Sequence, residues 1–238
     1  MAEPLLDVRG INAGYHGRSV LRAVSLKVED GQVVGILGPN GHGKTTLLYC
    51  ISGLLPLTQG DIHFAGVSLK GKSVEKIVEA GIVHIPQGDM IFPDMTIREN
   101  LLMGAYLPGP AAKSVASLEA VHQIFPILLE RRNQIASTLS GGERRMLGIG
   151  RGLMADARIL LIDEPSLGLA PIVIEQIYQA LAGLKKQGRT ILIVEENASR
   201  AFRLADQLYL LDHGEFVWEG APEELRTHKG ILETYLGA

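Results

Sequence analysis

The apolar positions change period along the chain, and the changes divide it into three stretches. Short β-rich runs between turn residues fill the opening, where Leu5 to Ile11, Val24 to Glu29 and Gln32 to Leu37 predict strands. The first helix is expected from Lys44 to Ser52, directly after the third of these runs. One further apolar strand, Ile82 to Ile85, precedes a shift to helical spacing over Ile97 to Ala105, Ala112 to Leu129 and Gly141 to Met154, with breaks near Pro108 to Pro110. From Arg158 onward strand and helix alternate: Ile159 to Ile162, Ile172 to Lys186, Thr190 to Val194 and Ala198 to Leu204. That rhythm belongs to a parallel sheet with crossover helices. Gln207 to Asp212 and Glu215 to Glu219 flank His213-Gly214, a two-residue hairpin turn signal, and two short helical stretches finish the chain. The expectation is one α/β domain over residues 1–238, with a helical segment at about 88–157 inserted into a sheet completed from both sides.

Composition narrows the function classes. The 238 residues, 46% of them hydrophobic, suffice for a sizeable core. Lys plus Arg (23) nearly balance Asp plus Glu (26), so no bulk field draws the chain to nucleic acid or anionic lipid, and any phosphate must be held by a local site. The single cysteine, Cys50, lies in a helical apolar pattern and reads as a core residue in a reducing cytosol. No basic segment followed by an apolar one opens the chain, and no apolar stretch approaches the roughly 18 to 20 residues of a membrane span. Membrane association is therefore expected only through a partner.

The strongest local signal is Gly38-Pro39-Asn40-Gly41-His42-Gly43-Lys44-Thr45, which fits G-x-x-x-x-G-K-[ST] between a predicted strand and a predicted helix. Glycines there let backbone N–H groups turn inward on phosphate oxygens, and the helix adds its positive end. Lys44 is expected on the β and γ phosphates, the Thr45 hydroxyl on Mg²⁺, and Thr46 beside them. His42 occupies a free position of the motif and reads as loop filler near the nucleotide, with no second His or Cys at ligand spacing.

Ile159-Leu160-Leu161-Ile162-Asp163-Glu164 reads as a buried strand ending in two acids. Asp163 is suited to hold Mg²⁺, directly or through water, and Glu164 to accept a proton from attacking water or to orient it. With the glycine loop, the pair predicts a Mg-nucleotide triphosphatase. A glutamate next to the metal-binding aspartate argues against a nucleotide kinase, which has no use for a water-activating base.

Leu139-Ser140-Gly141-Gly142-Glu143 is, on local chemistry, a capped helix start with Ser140 as N-cap and Glu143 at the third helical position. Placed between the other two elements, it resembles the signature of ABC transporter ATP-binding subunits, and the resemblance extends over nearly the whole chain. It implies a P-loop NTPase core with an N-terminal antiparallel β subdomain and an inserted helical subdomain. It further implies that Ser140, Gly141 and Gly142 meet the γ phosphate of ATP held by a second cassette, in a homo- or heterodimer. Tyr15 matches the aromatic that stacks on adenine, with a core or edge-strand tyrosine as the rival reading. Gln87, after Ile85-Pro86, matches the glutamine that senses Mg²⁺ and the attacking water. Ser166-Leu167-Gly168-Leu169 resembles the segment coupling the two sites.

Finer features resemble the cassettes of branched-chain (hydrophobic) amino acid importers: Ser166 to Pro171, Ile91-Phe92-Pro93, Glu99-Asn100-Leu101 and the closing Tyr235-Leu236-Gly237. The implied partners are permease subunits and, indirectly, a solute-binding protein, with no nucleic acid and no appended regulatory domain; the implied location is the cytoplasmic face of the membrane. Two other readings stand beside it: a soluble cassette protein of translation or DNA repair, and a regulatory nucleotide-binding module. The interval from Lys44 to Asp163 leaves no room for the long coiled coil of the former.

The sequence departs from the family at Ile193-Val194-Glu195-Glu196-Asn197, where Glu196 stands at the position of a histidine that contacts the γ phosphate. A carboxylate there repels the phosphate unless it is protonated, turned away or bridged by a cation or water, so slow basal turnover or an asymmetric partner is expected. Arg144 stands where glutamine is common. Gly148, Gly150 and Gly152 cost the following helix about 1 kcal/mol each against alanine, which points to close packing or to mobility.

Overall fold

The computed structural model describes residues 3–88, 90–106 and 111–231. The break expected near Pro108 to Pro110 and the closing Tyr235-Leu236-Gly237 lie outside the described residues. An antiparallel sheet is built from β1 (Leu6–Tyr15), β2 (Arg18–Val28), β4 (Gln59–Phe64) and β5 (Val67–Ser68), in the order β2-β1-β4-β5. The second sheet contains β3 (Val33–Leu37), β6 (Ile82–Ile85), β7 (Ile159–Asp163), β8 (Thr190–Glu195), β9 (Gln207–Asp212) and β10 (Glu215–Gly220), in the order β10-β9-β3-β8-β7-β6. Its strands are parallel except for the β9–β10 hairpin. His213 and Gly214 both have positive φ (45° and 84°), the backbone that lets a two-residue turn follow the twist of its strands.

Alternation along the central strands sorts their side chains onto two faces. Val34 and Ile36 of β3 and Leu192 and Val194 of β8 pack with the antiparallel sheet and with α1 (Lys44–Ile51). Val33, Ile191 and Ile193 face the opposite way, onto a core shared with α3 (Ile97–Gly104), α6 (Gly141–Leu153) and α7 (Pro171–Lys186). Both faces are covered, which explains why these strands read as continuous apolar runs. Cys50 is buried in the first core, and burial pushes its thiol up to about 12, as befits a core residue.

Two departures from the periodicity have local causes. The single helix expected from Ala112 to Leu129 is two, α4 (Ala111–Ile124) and α5 (Pro126–Glu130). Pro126 has no N–H to continue the ladder and begins α5 instead. The span after α1 holds the β4–β5 hairpin and the short α2 (Val74–Glu79), none of which the pattern resolved. Each element there is only two to six residues long, below the window in which a period shows.

Two of the helix glycines, Gly150 and Gly152, pack closely. A Cβ on Gly152 would lie 2.5 Å from Ile85 Cγ1 and 2.6 Å from its Cδ1, and one on Gly150 would lie 3.0 Å from Val121 and 3.1 Å from Leu101. Gly152→Ala is therefore expected to destabilise the chain by about 1–2 kcal/mol, overpacking outweighing the gain of about 1 kcal/mol in helix propensity. Urea unfolding measures the sign directly.

Candidate active site

Parallel pairing brings the chemistry-bearing residues to one edge of the large sheet. Leu37, the last residue of β3, pairs with Glu195 of β8, and Asp163, the last of β7, pairs with Val194. The glycine loop, the acid pair and Glu195-Glu196 therefore leave the sheet together at its carboxyl edge, where ligand crevices open in such folds. Gly38 packs on the Leu211 carbonyl of β9 so tightly that any side chain there would collide with it. Gly43 begins α1 at φ 108°, with no side chain capping the helix. The first-turn N–H groups of α1 are thus left to an anionic ligand.

Lys44 is almost fully buried (4% exposed) and folds back over the loop. Its Nζ donates to the Gly38 carbonyl at 2.8 Å, the Pro39 carbonyl at 3.1 Å and Asn40 Oδ1 at 3.4 Å, and it pairs with Glu164 Oε1 at 3.1 Å. Thr45 Oγ1 donates to Asp163 Oδ1 at 3.2 Å, and Thr46 is buried beside it. Asp163 has no exposed surface, and its Oδ2 has no hydrogen-bond partner among the described residues. Burial pushes its carboxyl up to about 6; the Thr45 hydrogen bond opposes the shift and the Glu164 charge adds to it. An orphaned carboxylate oxygen next to a threonine hydroxyl fits a hard divalent cation such as Mg²⁺, which takes oxygen ligands.

Glu164 follows β7 with φ +40°, a left-handed backbone that a side-chain-bearing residue adopts only under constraint. Its N–H is held by the Val194 carbonyl at 3.1 Å. The turn breaks strand alternation, so Asp163 and Glu164 both serve the same crevice. Glu164 also lines an open cavity of about 430 Å³ together with Leu167, Glu196 and Arg200, which gives water a route to a carboxylate only 6% exposed.

Glu196 is exposed and accepts from Asn40 Nδ2 at 3.0 Å, so this carboxylate is turned onto the glycine loop. His42 is more than filler. Its ring stacks on His213 with centroids 4.3 Å apart, and its Nδ1 lies 2.8 Å from Asp212 Oδ1. The His42 carbonyl also accepts from the Gly214 N–H at 3.1 Å. No second His or Cys lies at ligand spacing from His42 along the chain, yet the fold brings ligand atoms of His42, Asp212 and His213 within 4.8 Å of one another. Spacing along the chain concealed this, because the hairpin approaches from 170 residues away.

Hydrogen bonds and an ion pair thus join Asn40, Lys44, Glu164 and Glu196, and a further hydrogen bond joins Thr45 to Asp163 at the same edge of the sheet. Tyr15, at the end of β1 and 40% exposed, stands outside these groups, as do exposed Gln87 after β6 and Ser140 at the start of α6. Tyr15 is not a core residue. Residues 21–167 match the ABC transporter family, more than half of the chain.

The chain belongs to the ABC transporter family. As one of its ATP-binding cassettes, it binds and hydrolyses ATP. It is 40% identical over 224 residues to the high-affinity branched-chain amino acid transport ATP-binding protein BraG of Pseudomonas aeruginosa, covering 94% of this chain and 96% of that one. The high-affinity branched-chain amino acid transport ATP-binding protein LivG of Salmonella typhimurium is 32% identical over 253 residues, covering 100% of this chain and 99% of that one. Among solved structures, the ADP conformation of an ATP-binding cassette of an ABC transporter superposes with a TM-score of 0.86 at 27% identity, covering 98% of each chain. A nucleotide-free cassette gives 0.84 at 29% identity, covering 94% of each.

In the cassette the signature segment is a capping box. Ser140 Oγ accepts from the Glu143 N–H at 3.3 Å, and Glu143 Oε2 accepts from the Ser140 N–H at 2.9 Å. Arg131 holds the other Glu143 oxygen at 2.9 Å. Gly142 is small for a packing reason as well, because a Cβ there would meet Val173 of α7 at 2.8 Å. Two buried clusters were not found from the sequence. Glu195 accepts from Ser166 Oγ at 2.7 Å and from the Tyr178 hydroxyl, and Arg200 donates to Ser166. Arg145 of α6 lies only 3% exposed between the β6 and β7 loops. Ser166 and Glu195 lie in segments the sequence marks, but only the fold brings the members of either cluster together.

Proposed function

We propose that the cassette is the motor subunit of an importer of branched-chain or other hydrophobic amino acids, working in a pair with ATP enclosed at the pair's interface. The observation that carries the chemistry is the convergence of Lys44, Thr45, Asp163 and Glu164 at the end of β3 and β7. The transported class rests on the likeness to BraG across nearly the full length of both chains. Among the described residues no helix is long and apolar enough to cross a membrane. In this reading permease subunits hold the cassette on the cytoplasmic side, the helices α3 to α6 (residues 97–153) form the subdomain that contacts them, and a solute-binding protein acts upstream.

The residues divide the work as follows. The glycine loop and the first turn of α1 cradle the β and γ phosphates, and Lys44 leaves its carbonyl partners for the phosphate oxygens. Thr45 and Asp163, with Gln87, hold Mg²⁺, which when bound neutralises charge on the phosphate oxygens. Once Lys44 turns to phosphate, Glu164 is released from the ion pair 3.1 Å away. Its carboxylate is then available to orient the attacking water and accept its proton. Tyr15 stacks on the adenine, and Ser140, Gly141 and Gly142 of the second cassette complete the phosphate site from the other side. ATP favours the closed pair and hydrolysis releases it, which is the differential affinity that does mechanical work.

Glu196 sets the rate. Its charge, held on Asn40, disfavours the γ phosphate, so basal turnover is expected to be low. Glu196→His is expected to raise turnover by about three- to tenfold, the effect of roughly 1 kcal/mol on the barrier. Phosphate release by the purified chain measures this, and a large fall would contradict the role given to Glu196. The transport reading is tested in vesicles holding the cognate permease, where leucine uptake should require both ATP and an intact Lys44.

A further inference from the structure

We propose that Arg145 is a positioning residue for ATP hydrolysis, holding the segment around Gln87 and the segment around Glu164 at a fixed separation. The proposal rests on the catalytic roles given above to Gln87 and Glu164. Strands β6 and β7 pair in parallel up to Ile85 and Ile162, and beyond that pair the ladder stops. The next residues on each side are the ones that carry the chemistry, and Arg145 is the tie that spans them. Its Nη1 donates to the Pro86 carbonyl at 2.6 Å and to the Gly88 carbonyl at 2.7 Å, the two residues flanking Gln87. Its Nη2 donates to the Asp163 carbonyl at 2.7 Å and its Nε to the Pro165 carbonyl at 3.4 Å, the two residues flanking Glu164.

The chemistry of the side chain suits this task. A guanidinium offers five N–H donors in a rigid planar fork, so one group can fix acceptors on two loops at once. A lysine ammonium is a compact point charge on a flexible stem and cannot hold both loops in one plane. Because the cation is buried, loss of carbonyl partners would leave it poorly solvated, which keeps both loops on it. The same residue is part of α6, whose N-terminus is Ser140. A shift of α6 when its capped end meets nucleotide on the second cassette therefore moves the Gln87 and Glu164 segments together through one side chain.

The test uses the full chain with Arg145→Gln and Arg145→Lys, each with and without Gln87→Ala. Four quantities are read: urea stability, ATP affinity by fluorescent-nucleotide displacement, kcat and KM. Arg145→Gln is expected to lower kcat at least about tenfold, with Arg145→Lys intermediate, while ATP affinity stays within about threefold because Lys44 and the glycine loop are untouched. Added to Gln87→Ala, Arg145→Gln should cost much less than it does alone, since residues acting as a unit are not additive. A kcat unchanged in Arg145→Gln, or losses that multiply fully in the double variant, would overturn the proposal. If Arg145→Gln fails to fold, Arg145→Lys carries the same comparison, and failure of both to fold would mark the residue as structural only and reject the proposal. Glu164→Gln in the otherwise native chain separates the two readings: turnover surviving that change refutes the site assignment itself, whereas its loss with unimpaired Arg145 variants refutes only this inference.

Discussion

Glu164→Gln should lower ATP turnover by about 10²- to 10⁴-fold, the range expected when a positioned general base is removed, while leaving ATP bound. The amide keeps the shape of the carboxylate and can still accept from Lys44 through its oxygen, so the nearly buried pocket is preserved. What is lost is the ability to take a proton from water. Because the bound nucleotide is then not consumed, ATP should drive the chain into a stable pair detectable by size-exclusion chromatography with light scattering. Phosphate release persisting near the native rate would remove Glu164 from the mechanism.

Lys44→Ala should weaken ATP binding by roughly a hundredfold, about 3 kcal/mol, the scale of a desolvated charge pair losing one partner. The substitution also acts on the empty protein. Lys44 and Glu164 have side chains only 3% and 7% exposed, so removing the cation leaves a buried carboxylate without its counter-charge. Stability should therefore fall in Lys44→Ala and recover in part when Glu164→Gln is added, a coupling that urea unfolding of the four chains measures. Calorimetric titration with ATP in the presence of Mg²⁺ reads the affinity. Unchanged binding would contradict the assignment of the glycine loop to phosphate.

Much of this architecture was legible in the sequence where one physical signal dominated. The apolar runs at Val33 to Leu37 and Ile159 to Ile162 marked the buried parallel strands, because both faces of the sheet are covered. Gly38, Gly43 and Lys44 were legible because phosphate binding demands backbone freedom and a cation at fixed offsets. Ser140 and Glu143 were legible as a capping box, and the structure forms it. Other features depended on long-range packing that no spacing encodes. His42 meets His213, Glu195 meets Tyr178, and Arg145 meets Pro86 only after the sheet has assembled. Pro126 was a local signal passed over inside a strong helical period. The left-handed turn at Glu164 could not be read either, since nothing in an Asp-Glu pair announces a positive φ.

The glycine loop leans on parts of the chain that come much later. Its supporting strand β3 is flanked by β8 and β9, Gly38 rests on the Leu211 carbonyl, and His42 is fastened to the hairpin at Asp212, His213 and Gly214. All of these props lie beyond residues 21–167, the stretch matched to the family. Excising that stretch would keep every phosphate-binding residue yet strip both neighbours from the strand that presents them. The smallest autonomous nucleotide-binding unit therefore extends past the last motif, to the end of the β9–β10 ribbon.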